Sequence, residues 1–215
     1  YFTIGLLLLY SAIILFYLII SSIDSTQRAR KAEYQYISLR NQLNPHFLIN
    51  SLNVLDGLIM TDRKEESDLY LHKLSDILQY RMMTEDTPLI TLEKEILNVT
   101  NYIDLLNIRF GSSLIVKTDI KKSDLQRLVV PCTIQLLVEN AVKHNALMEN
   151  RPLHIDIHSD TIDITVSNNL IPRFSKSKST GLGLHYIKEQ YKMHSDRDIQ
   201  ILSTKESFTV KIPIL

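Results

Sequence analysis

The sequence predicts an α+β chain in three parts, on three observations. Residues 1–23 are apolar and contain no charged residue, and about 20 such residues span a bilayer as a helix. Residues 24–88 carry apolar side chains at helical spacings, as in a helical hairpin. Residues 89–215 combine helical spacings with the alternation of strands. We therefore expect helices over one face of a mixed, largely antiparallel sheet there.

The first segment fits a transmembrane helix better than a signal peptide, because it lacks a basic start. A buried core helix is the alternative. Arg28, Arg30, Lys31 and Arg40 follow it, and by the positive-inside rule they place the rest of the chain in the cytoplasm. Because Tyr1 already lies in apolar sequence, we expect further sequence upstream.

The hairpin follows from two apolar faces. One contains Leu48, Leu52, Leu55 and Ile59, and the other contains Tyr70, Leu74, Ile77 and Leu78. Residues 60–67 have no apolar face and predict the turn between the helices. A lone hairpin cannot cover its apolar stripe, so we expect a homodimer with a four-helix bundle.

The stretch "RNQLNPHFLINSLN" places Pro45 and His46 inside this helical pattern. Pro45 leaves the Asn41 carbonyl without its helical donor, which favours a bend. His46 falls roughly opposite the leucine stripe and shares its face with Asn50. An exposed neutral imidazole is a good nucleophile near neutral pH. A surface histidine beside a kink is the alternative.

The α/β part begins after Pro88. Thr91 is a candidate N-cap of a helix whose first turn holds Glu93 and Glu95 and which ends at "GSS". Pro131 predicts the first position of a second helix, to about Ala146. A third helix is expected over Gly183–His194. The predicted strands are "LIVKTDI", "LHIDIHS", "IDITVSN", "IQIL" and "FTVKIPI".

Two motifs of this part suit a phosphate-bearing ligand. The first is "LLVENAVKHN", in which Leu137, Val138 and Ala141, together with Ile134 just before it, predict a buried face. Polar residues occupy the opposite side: Glu139, Asn140, Lys143 and, at its edge, His144. An amide oxygen can ligate Mg²⁺, although an ordinary solvated face has the same pattern.

The second motif is "STGLGLHYI", in which Gly181 and Gly183 stand at a loop-to-helix junction. Glycines let backbone amides approach phosphate at a helix N-terminus. The pattern fits neither a dinucleotide fingerprint nor a P-loop.

Taken in order, "QLNPHFLINSLN", "LSDILQYRM", "NYIDLLNIRFG", "VPCTIQLLVENAVKH" and "TGLGLHYIKEQY" resemble the LytS-like sensor histidine kinases across residues 35–215. The resemblance implies a dimerisation and phosphotransfer hairpin (24–88) and a GHKL-type (Bergerat) ATP-binding α/β sandwich (89–215). It implies ATP and Mg²⁺ as cofactors. By position, His46 corresponds to the autophosphorylated residue and Asn140 to the Mg²⁺ ligand. The neighbours implied to orient water or contact phosphate are Glu139, Lys143 and His144, with Gly181 and Gly183 beneath the lid.

Two departures concern the proton acceptor and the adenine box. Phe47 follows His46, as in the LytS-like signature, where many other histidine kinases carry an acidic residue, so solvent or a water bound by Asn50 is left as the base. Asn168 replaces the adenine-binding aspartate, and Leu170 replaces a glycine. An Asn oxygen still accepts from the adenine amino group, but without charge. The stretch "PRFSKSKS", which includes Arg173, reads either as a phosphate-contacting lid or as a plain soluble loop.

The resemblance implies a bacterial enzyme of the inner (cytoplasmic) membrane, anchored through residues 1–23. It would pass phosphate to an aspartate of a response-regulator receiver domain. Two alternatives remain: a degenerate scaffold with little ATP binding, and an ATPase that only hydrolyses. The charge balance of 24 basic and 24 acidic residues, together with the absence of a nucleic-acid-binding motif, argues against direct nucleic acid binding. Cys132 excludes an intramolecular disulfide, and we expect a buried thiol rather than a reactive one.

Overall fold

The computed structural model describes residues 45–84, 86–173 and 182–215, which belong to one compact unit, 44–215. Three predicted features lie outside the described residues: the membrane helix, Gly181, and the bend at Asn41. Within the described ranges, no helix combines the length and the apolar character needed to cross a membrane.

The predicted hairpin consists of α1, Pro45–Met60, and α2, Lys64–Thr84. The turn is shorter than the predicted segment and covers residues 61–63, where Asp62 adopts a left-handed backbone with φ of 56°. The Thr61 hydroxyl donates to the Gly57 carbonyl at 2.7 Å and closes the end of α1.

The apolar face of α2 is covered within the chain. Tyr70, Leu74 and Ile77 are buried and Leu78 is half-buried, because α2 packs along α3, Leu92–Phe110. The Lys73 ammonium fastens this contact, since it lies 2.9 Å from both Asn101 Oδ1 and Asp104 Oδ2. The expectation that this face forms part of the open stripe of the hairpin is therefore wrong.

The stripe of α1 is open in part. Leu52 and Ile59 are 57% and 61% exposed, whereas Leu48 and Leu55 are half-buried and Leu55 packs against the core. A different face of α1, made by Phe47, Ser51, Val54 and Leu58, is turned towards the chain. The dimeric four-helix bundle stays a prediction.

The sheet confirms the α+β class and its mixed, largely antiparallel order. A two-residue strand β1, Ile90–Thr91, pairs with β3, Leu128–Val129. The larger sheet contains β2, Leu114–Asp119; β4, Leu153–Ser159; β5, Asp163–Asn169; β6, Gln200–Ser203; and β7, Ser207–Pro213. Its strand order is β2–β4–β5–β7–β6. The β2–β4 pair is parallel, and the other pairs of this sheet are antiparallel.

The sheet buries one face. Along β4, Leu153, Ile155 and Ile157 are buried while the alternate residues are exposed, as the strand period of two requires. Helix α4, Thr133–His144, packs on β4 and β5, and α5, Leu182–His194, packs on α4. The α4–α5 pair therefore covers the sheet where the predicted ligand motifs lie.

Two helix ends depend on left-handed backbone. Gly111 (φ 51°) follows α3, as the "GSS" signal predicts. Cys132 has φ of 59° and is the N-cap of α4, so this helix begins at Thr133 and not at Pro131. The predicted inner face of α4 is confirmed, since Ile134, Leu137, Val138 and Ala141 are all buried.

Candidate functional site

The two predicted ligand motifs meet between α4 and α5. A Cβ placed on Gly183 would lie 3.5 Å from Asn140 Nδ2 and 3.5 Å from a methyl of Leu136. The first turn of α5 thus runs directly against the Asn140 amide. Helix N-termini offer unpaired N–H groups and partial positive charge. An amide oxygen and a helix N-terminus at this spot form a cradle suited to a phosphate-bearing ligand.

Lys143 and His144 continue the exposed side of α4 beyond Asn140. Partial desolvation of the otherwise exposed ring, then the charges of Lys143 and Arg173, hold the pKa of His144 below its usual value. At neutral pH this imidazole is therefore uncharged.

Asn168 lies on the covered face of β5 and is 7% exposed. Its Nδ2 donates to the Asn169 carbonyl at 2.6 Å. An asparagine in this place has an amide oxygen to offer and no charge. Gly181 belongs to the residues that the structure does not describe.

Arg173 is used as a helix cap. Its Nε donates to the Asn145 carbonyl at 2.9 Å and its Nη1 to the Lys143 carbonyl at 2.7 Å, where α4 leaves carbonyls without helical donors. The buried Asn145 side chain ties the same region together: it donates to Ala141 and accepts the Ile171 N–H. Of the two interpretations of "PRFSKSKS", neither anticipated this role for its arginine.

Glu139 faces the hairpin. Arg81 Nη2 and Gln135 Nε2 donate to Glu139 Oε1 at 3.0 and 3.1 Å. Gln135 is itself held, since its Oε1 accepts from Asn98 Nδ2 at 2.9 Å. The Glu139 carboxylate is therefore held directly by α2 and, through Gln135, by α3. The sequence pattern predicts only that Glu139 lies on the polar side of α4.

The start of α4 is capped by a residue from another helix. Glu95 is fully buried, and its carboxylate accepts the N–H groups of Cys132 and Ile134, both at 2.9 Å. Tyr80 of α2 donates its hydroxyl to the same carboxylate at 2.5 Å. Burial raises the pKa of the Glu95 carboxyl, and these hydrogen bonds oppose that shift.

Sequence reasoning missed this role of Glu95. It expected Thr91 to cap α3 and Glu95 to complement that helix dipole, but the Thr91 side chain makes no capping hydrogen bond. A glutamate that falls on the apolar face of its helix is the signal that points to a buried partner.

The phosphoacceptor candidate lies on α1, in its first described turn. The ring of the next residue, Phe47, contacts the other two helices. The Phe47 ring centroid lies 5.8 Å from that of Tyr102 and 5.5 Å from the Arg81 guanidinium carbon. Asn50 is half-buried. The start of α1 is thus packed against α2 and α3.

The structure leaves Cys132 half-buried rather than buried as predicted, but the prediction of an unreactive thiol is supported. Burial, then the Glu95 charge, raises the pKa of its thiol to about 12. A thiol with so high a pKa is a poor nucleophile at neutral pH.

Comparison with known proteins identifies the class. Residues 34–114, which include His46, match the histidine kinase family. Sensor protein LytS of Staphylococcus saprophyticus is 36% identical over 119 residues, 55% of this chain and 20% of that protein. LytS of Staphylococcus haemolyticus is 32% identical over 160 residues, 68% of this chain and 27% of that protein.

A third relative is the sensor histidine kinase/phosphatase LytS of Staphylococcus aureus, 30% identical over 143 residues, 66% of this chain and 24% of that protein. Within the histidine kinases, the chain belongs to the LytS-like sensor family, as its motifs predict. It spans about a quarter of the length of these relatives. The catalytic domain of histidine kinase ThkA superposes with a TM-score of 0.43 at 20% identity, covering 58% of this chain and 95% of that one.

Proposed function

We propose that the chain is the kinase part of a sensor histidine kinase that transfers the γ-phosphoryl group of ATP to His46. The observation that carries the proposal is the contact of Asn140 with Gly183 at the first turn of α5. It occurs in a chain whose histidine kinase segment contains His46. On this proposal residues 89–215 form a GHKL-type ATP-binding domain.

The nucleotide would lie along α4 and the start of α5. Asn168, on the covered face of β5, takes the adenine side, and the charge of Lys143 takes the phosphate side. The remaining residues assigned to the nucleotide are Asn140, His144, Gly181 and Gly183.

Asn140 would hold Mg²⁺ through its amide oxygen. Among the described residues no group of three His, Cys, Asp or Glu side chains gathers as a metal site. A single amide ligand fits Mg²⁺, which keeps several waters and takes substrate phosphate oxygens as ligands. When bound, the ion neutralises charge on the phosphates.

The transfer exchanges one bond for another at phosphorus. The bond from the γ-phosphorus to the β,γ-bridging oxygen breaks and leaves ADP, while a bond to a ring nitrogen of His46 forms. The imidazole loses its N–H proton in the process. Because Phe47 stands where many histidine kinases carry an acidic residue, and its ring contacts Tyr102 and Arg81, we assign this proton to solvent or to a water held by Asn50. Catalysis then rests on placement and charge neutralisation.

Glu139, which the resemblance places among the site residues, is assigned a positioning role. Its carboxylate is held by Arg81 and Gln135, so we propose that it fixes the polar face of α4 rather than accepting the proton.

The phosphoryl group would pass from His46 to an aspartate of a response-regulator receiver domain. The chain would act as a homodimer through the open stripe of α1, where Leu52 and Ile59 are exposed. It would be anchored in the cytoplasmic membrane of a bacterium by residues 1–23, with residues 24–88 as the phosphotransfer hairpin.

Incubation of the purified chain with γ-labelled ATP and Mg²⁺ tests the proposal. We expect an acid-labile, alkali-stable label on the wild-type chain and none on His46→Gln. Nucleotide titration is run in parallel. Absence of Mg²⁺-dependent ATP binding would favour the scaffold, and ATP hydrolysis without a label on the protein would favour a simple ATPase.

A further inference from the structure

Two consecutive residues near the end of α2 connect the hairpin to α4, one indirectly and one directly. Tyr80 contacts Glu95, whose carboxylate caps the start of α4. Arg81 pairs directly with Glu139, in the second half of the same helix. The hairpin therefore contacts the helix that carries Asn140 twice: directly through Arg81, and indirectly through Tyr80 and Glu95.

The Arg81 contact is built as a partly buried ion pair. The Arg81 and Glu139 side chains are 10% and 18% exposed, and their atoms approach to 3.0 Å. The same guanidinium lies over the Phe47 ring. A planar cation that holds a carboxylate and also stacks on an aromatic ring is a combination that arginine provides and lysine does not.

These contacts link two residues adjacent to the chemistry. Phe47 directly follows His46, and Glu139 directly precedes Asn140. Arg81 touches both of them. We propose that Arg81 is a positioning residue that sets the helix of the phosphoacceptor against the helix of the nucleotide site within one chain. This inference rests on the proposed kinase function.

The physical reason is the cost of losing the cation. Without Arg81, a largely buried carboxylate keeps the neutral Gln135 amide but loses its charged partner, which is strongly unfavourable. Glu139 would turn towards solvent, and the Phe47 ring would lose its stacking cation. Displacements on the order of 1 Å between reacting groups can lower a rate by about 100-fold.

Arg81→Gln tests the inference in the full chain, with Lys73→Gln as the matched control. Lys73 also forms an ion pair from α2, but its partners Asn101 and Asp104 lie on α3. For each variant, the label on His46 is measured against ATP concentration, the ATP dissociation constant is measured separately, and the folded fraction is measured by denaturant unfolding.

We expect Arg81→Gln to lower the labelling rate at saturating ATP by about 10- to 100-fold, with ATP affinity changed less than about threefold. Arg81→Lys should recover part of the rate. Lys73→Gln should keep the wild-type rate per folded molecule.

Three outcomes would overturn the positioning role. The first is an Arg81→Gln rate equal to that of Lys73→Gln per folded molecule. The second is a loss accounted for by weaker ATP binding. The third is a faster rate, which would make the ion pair a restraint on catalysis. A wild-type chain that takes no label would instead refute the proposed function, and with it this inference.

Discussion

The two helices of the hairpin differ in what covers them. The apolar face of α2 is sealed by α3, and Ile77 is 0% exposed. The apolar stripe of α1 is open in part, and Leu52 is 57% exposed. The two faces look alike in sequence, yet one belongs to the core of this chain and the other is available to a partner. An amphipathic pattern thus indicates which face of a helix is apolar, but it does not indicate whether this chain or a partner covers that face.

Truncating a side chain on α2 should lower the unfolding free energy far more than truncating one on α1. Ile77→Ala should destabilise the chain by about 2–5 kcal/mol, because it removes methyl groups and leaves a cavity. Leu52→Ala should change the unfolding free energy of the monomer by less than about 0.5 kcal/mol. Denaturant unfolding at low protein concentration measures both. Equal losses would contradict the difference between the two helices.

A second comparison concerns the contact of α2 with the α/β part. Glu95→Gln should cost about 1–3 kcal/mol, because its amide NH₂ would face donors. Glu93, in the same helical turn but exposed and bonded to Gln126, is the matched control, and Glu93→Gln should be nearly neutral.

The pH dependence of that difference has a definite sign. Burial raises the pKa of folded Glu95 above its ordinary value of 4.5. Its stabilising contribution is therefore complete below the unfolded pKa and declines as pH rises through the folded pKa. The stability gap between the wild type and Glu95→Gln, measured by unfolding, should shrink as pH increases from about 4 towards neutrality. A gap that widens over this window would contradict the assignment.

A third prediction addresses the open face of α1. Leu52→Glu should weaken self-association of the chain while leaving its fold intact, since it places a charge in the proposed interface. Asn53→Glu adds the same charge at the next exposed position, outside the stripe, and should associate like the wild type. Sedimentation of both variants checks this. Unchanged association of Leu52→Glu would remove α1 as the dimer surface.

The smallest effect lies at the far end of α4. Because burial and neighbouring cations lower the pKa of His144, protonation on acidification favours the unfolded chain. His144→Asn should therefore lose less stability than the wild type between about pH 7 and pH 5. Parallel unfolding curves over that range would show that His144 does not contribute.

Much of the sheet was predictable from one sequence. The strand Leu153–Ser159 begins and ends where the "LHIDIHS" alternation does. A strand with one buried face alternates apolar and polar residues, so its bounds can be read from the sequence. The face of α4 was equally readable, since Ile134 and Leu137 recur at helical spacing.

The contacts that build the candidate site were not predictable. Glu95 meets Cys132 across 37 positions, and Arg81 meets Glu139 across 58. No local propensity encodes such pairs. The late start of α4 was also hidden, because Cys132 adopts a left-handed backbone without a glycine to announce it.

Phosphate mapping tests whether His46 receives the phosphoryl group. The wild-type chain and Asn140→Ala, which keeps His46, are incubated with ATP and Mg²⁺, and the phosphorylated residue is located by mass spectrometry under alkaline conditions. We expect phosphate on His46 of the wild type and almost none on Asn140→Ala. Phosphate on another residue, or equal phosphorylation of His46 in both chains, would contradict it.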